Sequence, residues 1–329
     1  DHAGAVPLYE KIYTLMVEKL GQNHPSVLMH RMQQAMVMGK AGMKEESKAM
    51  LEPTTRQLIS VGTTLMMKGG TRETCNQAAQ IYSYVVDIMD SAFKEQGGHP
   101  MVCEVRVLLA RAILQLGNEE KANEVLEEGT QSLMDLSNTL AEAGAEGLEQ
   151  AYNMSMSFSQ LIMALFGKDH PLSLAVLQNT AGIMHMKCEL ESAKKLYESI
   201  LPIQETLHGA EDLNPLMTKF GLATLMIDMG ELEAAGPAMA AIIEAFSNSE
   251  AFGPLLPKYA RAYNGLLLQA HGKNAEAEAE YAAAAALEGD NNEAAKMFDQ
   301  MSTAQGRVWG EEDERVVRLK AAATRLRQT

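Results

Sequence analysis

The stretch ATLMIDMGELEAA at 223–235 decides the fold. An apolar run at helical spacing stops at Gly230, and a second such run begins just beyond it. A helix that ends tightly needs a left-handed residue after its last turn, and Gly adopts that conformation without a Cβ clash. Four more stretches align on the same turn: AMVMGKAGMKEES at 35–47, ARAILQLGNEEKA at 110–122, AGIMHMKCELESA at 181–193 and GLLLQAHGKNAEA at 265–277. Their turn residues are Gly42, Gly117, Cys188 and Gly272. Cys188 breaks the pattern, which predicts a turn there that is either wider or strained.

Around each turn the residue sizes repeat. Seven positions before it stands Ala35, Ala110, Ala181, Ala223 or Gly265, and five after it Ser47, Ala122, Ala193, Ala235 or Ala277. One small residue on each helix lets two antiparallel helices approach closely. Four positions before the turn stands Met38, Ile113, Met184, Met226 or Leu268, and nine after it Leu51, Leu126, Tyr197, Met239 or Tyr281. The larger residue after the turn fills the layer beneath.

Composition agrees. Of 329 residues 47% are hydrophobic but only 5% aromatic, so Ala, Leu and Met carry the apolar content. These are strong helix formers, and no segment alternates with the period of a strand. The net charge of −15 argues against nucleic acid as a partner, since phosphate contacts need a basic surface. It argues equally against an anionic membrane surface. No apolar run approaches the roughly 18 residues of a membrane span. Cys75, Cys103 and Cys188 are odd in number and scattered, as expected of buried thiols in a reducing compartment such as the cytoplasm. The chain starts at Asp1 rather than Met, which leaves a processed organellar protein open.

A second repeated signal precedes several of the first helices: LGQNHPSV at 20–27, GGHPMV at 97–102 and FGKDHPLSL at 166–174, with looser forms HGAEDLNPL at 208–216 and WGEEDERVV at 309–317. Pro is pre-shaped for a first helical position, and a polar residue before it can cap the free amides. The five turns resemble the tetratricopeptide repeat. Together with these loops, and with LYEK at 8–11 and KKLYESIL at 194–201, they resemble in particular the repeats of the kinesin light chain family over most of residues 7–328. The resemblance implies an all-α, right-handed α-solenoid of helix hairpins forming a single domain over 1–329. Units start near 20, 97, 167 and 208, with the last at 254–287 and 291–328. Pro25, Pro100 and Pro171 lie 75 and 71 residues apart, too far for one hairpin, so extra helices are expected near 73–96 and 146–166. About fifteen helices result. Joints are expected at Gly69, Gly70, Gly144, Gly147 and the stretch 248–254.

The resemblance also implies a role. In tetratricopeptide proteins the first helix of each hairpin lines a concave groove. Carried over, that register places Met29, Met32, Gln33 and Met36 in the groove, then Glu104, Val107, Leu108 and Arg111. Ala175, Gln178, Asn179 and Gly182 follow, then Met217, Phe220, Gly221 and Thr224, and finally Tyr259, Ala262, Tyr263 and Leu266. The set is more apolar than charged, and the Lys and Asn pattern that clamps a terminal carboxylate in some members is missing. Met-rich surfaces adapt to varied apolar shapes, so the expected ligand is a hydrophobic or amphipathic segment of another protein. The alternative is that these residues pack between helices as core. One position before the groove row stand Arg31, Arg106, Lys219 and Arg261, either a ladder for acidic residues or stems covering gaps between helices.

The sequence carries no Walker loop, dinucleotide fingerprint, HExxH or G-x-S-x-G motif. His24, His99 and His170 fall in separate repeats and read as helix-start residues rather than metal ligands. No catalytic residue, metal, cofactor or small-molecule substrate is expected. The function expected is that of a non-catalytic interaction scaffold or adaptor. The alternative is a structural subunit of a large, possibly organellar, assembly.

Overall fold

The computed structural model describes residues 2–67, 70–94, 98–248 and 253–328. Within them it is all helical. The elements are α1 (His2–Leu20), α2 (Pro25–Lys40), α3 (Lys44–Met67), α4 (Arg72–Phe93), α5 (Pro100–Gln115), α6 (Glu119–Glu142), α7 (Ala145–Phe166) and α8 (Pro171–Met186). They continue with α9 (Leu190–His208), α10 (Leu213–Met229), α11 (Leu232–Ser247), α12 (Leu255–Ala270), α13 (Asn274–Ala286), α14 (Asn291–Trp309) and α15 (Glu314–Gln328). Most neighbours in sequence pack as neighbours in space, the sequential hairpin packing of a tetratricopeptide-like repeat. The chain divides into two compact units, Asp1–Leu136 and Ser137–Thr329, described here one at a time.

Five hairpins are built alike: α2–α3 in the first unit, α5–α6, whose second helix runs past Leu136, and α8–α9, α10–α11 and α12–α13 in the second unit. Each turn is closed by the amide just after the turn residue, donating to a carbonyl five positions back: Met43 to Met38, Asn118 to Ile113, Glu189 to Met184, Glu231 to Met226 and Lys273 to Leu268, at 2.9–3.3 Å. This closure satisfies carbonyls that a helix end leaves open. Cys188 takes the same conformation as the glycines, with φ 61°, so its turn is no wider than theirs. It is the strained alternative that holds, because a side chain in the left-handed region costs about 1–2 kcal/mol.

The size pattern is realised in the packing. Ala35, Ala110, Ala181 and Ala223, with Ala122, Ala193, Ala235 and Ala277, are all 0% exposed. In the first hairpin Ser47 Oγ donates to the Ala35 carbonyl at 2.6 Å, joining the two small positions directly. Gly265 is small for a reason visible in its neighbour: a Cβ there would fall 2.7 Å from the Tyr281 ring.

Helix starts follow the loop motifs. His24, His99 and His170 cap α2, α5 and α8, each Nδ1 accepting the amide two residues on at 3.2–3.3 Å. Where the motif is looser, Asp212 and Asp313 do the same for α10 and α15. Because Asp212 is the cap, α10 begins at Leu213 and Pro215 lies within its first turn.

The two extra helices are α4, packed on α2, α3 and α5 in the first unit, and α7, packed on α8 and α14 in the second. Of the expected joints, Gly144 precedes α7 with φ 116°. Gly147 lies inside α7, where a Cβ would stand 2.1 Å from the Leu140 carbonyl, so it serves close packing. Gly69 and residues 249–252 fall outside the described residues.

Candidate partner-binding surfaces

In the first unit the groove register divides. Met32 and Val107 are fully buried, Met29, Met36, Glu104 and Leu108 are half-buried, and Gln33 and Arg111 are exposed. Burial, opposed by Arg56, pushes the Glu104 carboxyl above its usual value. The Met29 carbonyl accepts the Tyr84 hydroxyl of α4 at 2.8 Å, tying α2 to the extra helix. Beside Met29 opens a cavity of about 590 Å³ between α2, α3 and α4. Its lining includes Pro25, Val61, Leu65 and Ile81 with Ser60, Thr64, Gln77 and Gln80, and it contains no Asp, Glu, Lys or Arg. Met36 lines a different cavity at the other end of the same helices.

In the second unit Phe220, Thr224, Ala262, Tyr263 and Leu266 are buried. Ala175, Gln178, Asn179, Gly182, Met217, Gly221 and Tyr259 are half-buried. The reason is α14. It touches α8 and α12 and reaches α10 through Gln305, so it meets the first helix of every hairpin in this unit. An aromatic chain runs from Phe246 to Phe220 at 6.0 Å, on to Tyr263 at 5.5 Å, and then to Phe298 of α14 at 4.9 Å. Farther along, Ala304 packs with Leu148, Ala151 and Ile183. Part of the inner face of this unit is covered by the chain's own helix.

Polar groups hold α14 in place. The Asp228 carboxylate accepts from His185 Nε2 of α8 and from Gln305 Nε2 of α14, each at 2.7 Å. Arg315 donates to the Asp228 carbonyl at 3.3 Å and pairs with Asp313 at 2.8 Å through two nitrogens. That pairing pulls the Asp313 carboxyl down to about 2. The guanidinium of Arg315 also lies 3.4 Å over the Trp309 ring, a favourable cation–π geometry. At the other end Lys258, 0% exposed, donates to the Gly289 carbonyl at 2.9 Å and to Asn291 Oδ1. Cys188 borders the Arg315 side of this cluster, but burial lifts its thiol to about 12, far from the thiolate a nucleophile requires.

The row of basic residues is tied into the fold. Arg31 pairs with Glu10 of α1 at 2.8 Å, Arg106 with Asp90 of α4 at 2.6 Å, Lys219 with Glu205 of α9 at 2.8 Å and Arg261 with Glu280 of α13 at 3.3 Å. Each pair crosses from one helix to the next. Partly exposed pairs of this kind contribute about 0.2–1 kcal/mol each. Hydrogen bonding from Gln34, then from Arg31, holds the Glu10 carboxyl below its usual value.

The sequence reading missed α14 as a groove occupant, and with it Asp228, His185 and Gln305. One signal was present. Ala294, Ala295, Ser302, Ala304 and Gly306 are small residues spread around more than one face, which suits a helix packed on several sides.

Among the described residues no three His, Cys, Asp or Glu side chains are grouped to hold a metal ion, and no helix is long and apolar enough to cross a membrane. No protein-family model matches the sequence, and no curated protein matches it. Among solved structures the chain is similar to BtubC (BKLC) from P. vanneervenii, with 16% identity over 70% of this chain and 89% of that one and a TM-score of 0.47. It is also similar to a kinesin light chain-like protein of Podospora anserina with nearly identical TPR-like repeats, with 15% identity over 77% of this chain and 95% of that one and a TM-score of 0.34. A third is NprR in complex with its cognate peptide NprX, with 18% identity over 100% of this chain and 97% of that one and a TM-score of 0.41. What the chain has in common with them is the tetratricopeptide-like helical repeat that its five hairpins display.

Proposed function

We propose that this chain is a non-catalytic interaction scaffold that takes an apolar segment of a partner protein in its first unit, at the cavity beside Met29. One observation carries the reading. In a chain with 22% charged residues, a cavity of about 590 Å³ is lined without any Asp, Glu, Lys or Arg. Apolar walls with a few uncharged polar groups suit an apolar side chain that brings backbone groups with it. In the second unit α14 covers part of the corresponding face, at Tyr263 and Ile183, which favours the first unit as the place for an external ligand.

The test is affinity capture of the tagged protein from its native source, with crosslinks located by mass spectrometry, using wild type and Met29→Asp. Met29 is half-buried at the cavity, so the variant is expected to keep its helical signal and melting temperature. Crosslinks on α2, α3 and α4 that disappear in the variant support the proposal. Capture of the same partner at the same yield by the folded variant overturns it.

A second reading, a subunit of a larger assembly, is supported by α1. Leu8, Ile12 and Leu15 are 58%, 46% and 56% exposed, and their spacing puts them on one helix face. Crosslinks to several proteins through α1 and other faces favour that reading.

A further inference from the structure

Of the large apolar side chains left exposed among the described residues, Leu8, Ile12, Leu15 and Leu20 belong to one helix, α1. No residue of α1 is fully buried. Its inner side packs on α2: Tyr9 stacks on His30 at 5.1 Å, Arg31 lies 4.3 Å over the Tyr13 ring, and Glu10 accepts from Gln34 at 2.6 Å. The helix is held on that side, and a helix in a folded protein takes most of its stability from packing.

The exposed side has the spacing of a coiled-coil seam. Leu8, Ile12, Leu15 and Lys19 follow one another at intervals of four, three and four residues, the alternation of a and d positions in a heptad. Lys11 and Glu18 flank that row on one side, one heptad apart. Both are exposed, and neither has an ion-pair partner among the described residues.

A second α1 can lie along this row in either direction. Laid parallel, the seam sets Lys19 of one copy against Lys19 of the other. Laid antiparallel, it sets Ile12 against Leu15 and the stem of Lys19 against Leu8, twice over by symmetry. The same register brings Lys11 of each copy beside Glu18 of the other. The antiparallel arrangement therefore makes the face complementary to itself in charge as well as in apolar spacing. Charge also selects this helix for the contact. The net charge of the chain is −15, which makes copies repel one another. In α1, Glu10 and Glu18 are balanced by Lys11 and Lys19.

We propose that α1 is the interface of a two-fold homodimer, in which its Leu8, Ile12 and Leu15 face pairs antiparallel with the same face of a second copy of this chain. The seam shares no residue with the cavity beside Met29, so its occupancy does not depend on that cavity's. One helix pair buries less than the roughly 800 Å² per partner of a standard interface. The dimer is accordingly weak, with a dissociation constant on the order of 10–100 μM.

The experiment is sedimentation equilibrium of the full chain from about 5 to about 500 μM, a range that spans that constant. A reversible monomer–dimer equilibrium is expected. Leu15→Glu, at an exposed position, should weaken it at least about tenfold. Thr14→Glu adds the same charge to an exposed position of α1 away from the seam and should leave it unchanged. Lys11→Glu and Glu18→Lys should each weaken self-association about three- to tenfold. An equimolar mixture of those two variants should pair as tightly as wild type, because each copy then meets the opposite charge. Circular dichroism of every variant at low concentration checks that the helices are kept. A chain that stays monomeric to the top of the range overturns the proposal. So does a dimer that Leu15→Glu leaves as tight as wild type, or a mixture that stays as weak as its components.

Discussion

The two units use one repeat register and treat its inner face differently. In the first, Met29 borders an open cavity lined by no Asp, Glu, Lys or Arg, and Gln33 and Arg111 remain exposed. In the second, Phe220, Tyr263 and Leu266 are buried, and α14 packs on Tyr263 through Phe298. The register dictates which residues face inward. It does not dictate whether inward means solvent, a ligand or another helix of the same chain. Repeat proteins gain stability from each helix stacked on the array, so an amphipathic helix near the end of the chain fills an apolar face whenever its loop can reach.

The largest effect should come from breaking the filled face. Phe298 is 0% exposed and meets Tyr263, so Phe298→Ala should cost about 3–5 kcal/mol, read as a lowered midpoint in urea unfolding. Hydrogen exchange should show the loss concentrated in α10, α12 and α14, with α2–α4 unaffected. An equal rise in exchange in α2–α4 would mean that the two faces are not independent.

An intermediate effect should come from acid. His99 in the first unit and His170 in the second accept through a neutral Nδ1, and burial holds both below the ordinary histidine value, at His99 against the opposing pull of Glu52. A depressed pKa in the folded state means that the unfolded chain binds the proton more readily. The stability from these caps is therefore complete above the unfolded value of about 6.5 and is lost as pH falls through the lower folded values. A cap contributes about 1 kcal/mol. His99→Asn and His170→Asn, which keep a capping oxygen that does not titrate, should each remove about that much of the loss between pH 7 and pH 5 in thermal melts. An unchanged slope would show that the histidines are not the acid-sensitive groups.

The smallest effect sharpens the likeness between units. Cys188 alone among the five turns carries a side chain in the left-handed region. Cys188→Gly relieves about 1–2 kcal/mol of strain but loses part of that to greater freedom of the unfolded chain. A net gain of up to about 1 kcal/mol is expected in denaturant unfolding, and a net loss would mean that the thiol packs better than its geometry suggests.

Much of the fold was legible because helix hairpins are local. The amide that closes each turn and the carbonyl it meets are five residues apart, and the small positions that let two helices touch are twelve apart. The helix starts were legible for the same reason, since each capping histidine holds an amide two residues on. The candidate site was legible only in part. Met29 does border a cavity, but the register alone could not separate it from Met32, which is fully buried.

By itself, then, the sequence determined the helices, their turns and caps, and the inward-facing row. Each of these rests on interactions within a dozen residues, which spacing records. Tertiary structure alone decided what covers that row. Gln305 meets Asp228 across 77 positions, and His185 meets the same carboxylate across 43. Such contacts depend on where a whole helix comes to rest, and no periodicity in the chain encodes that.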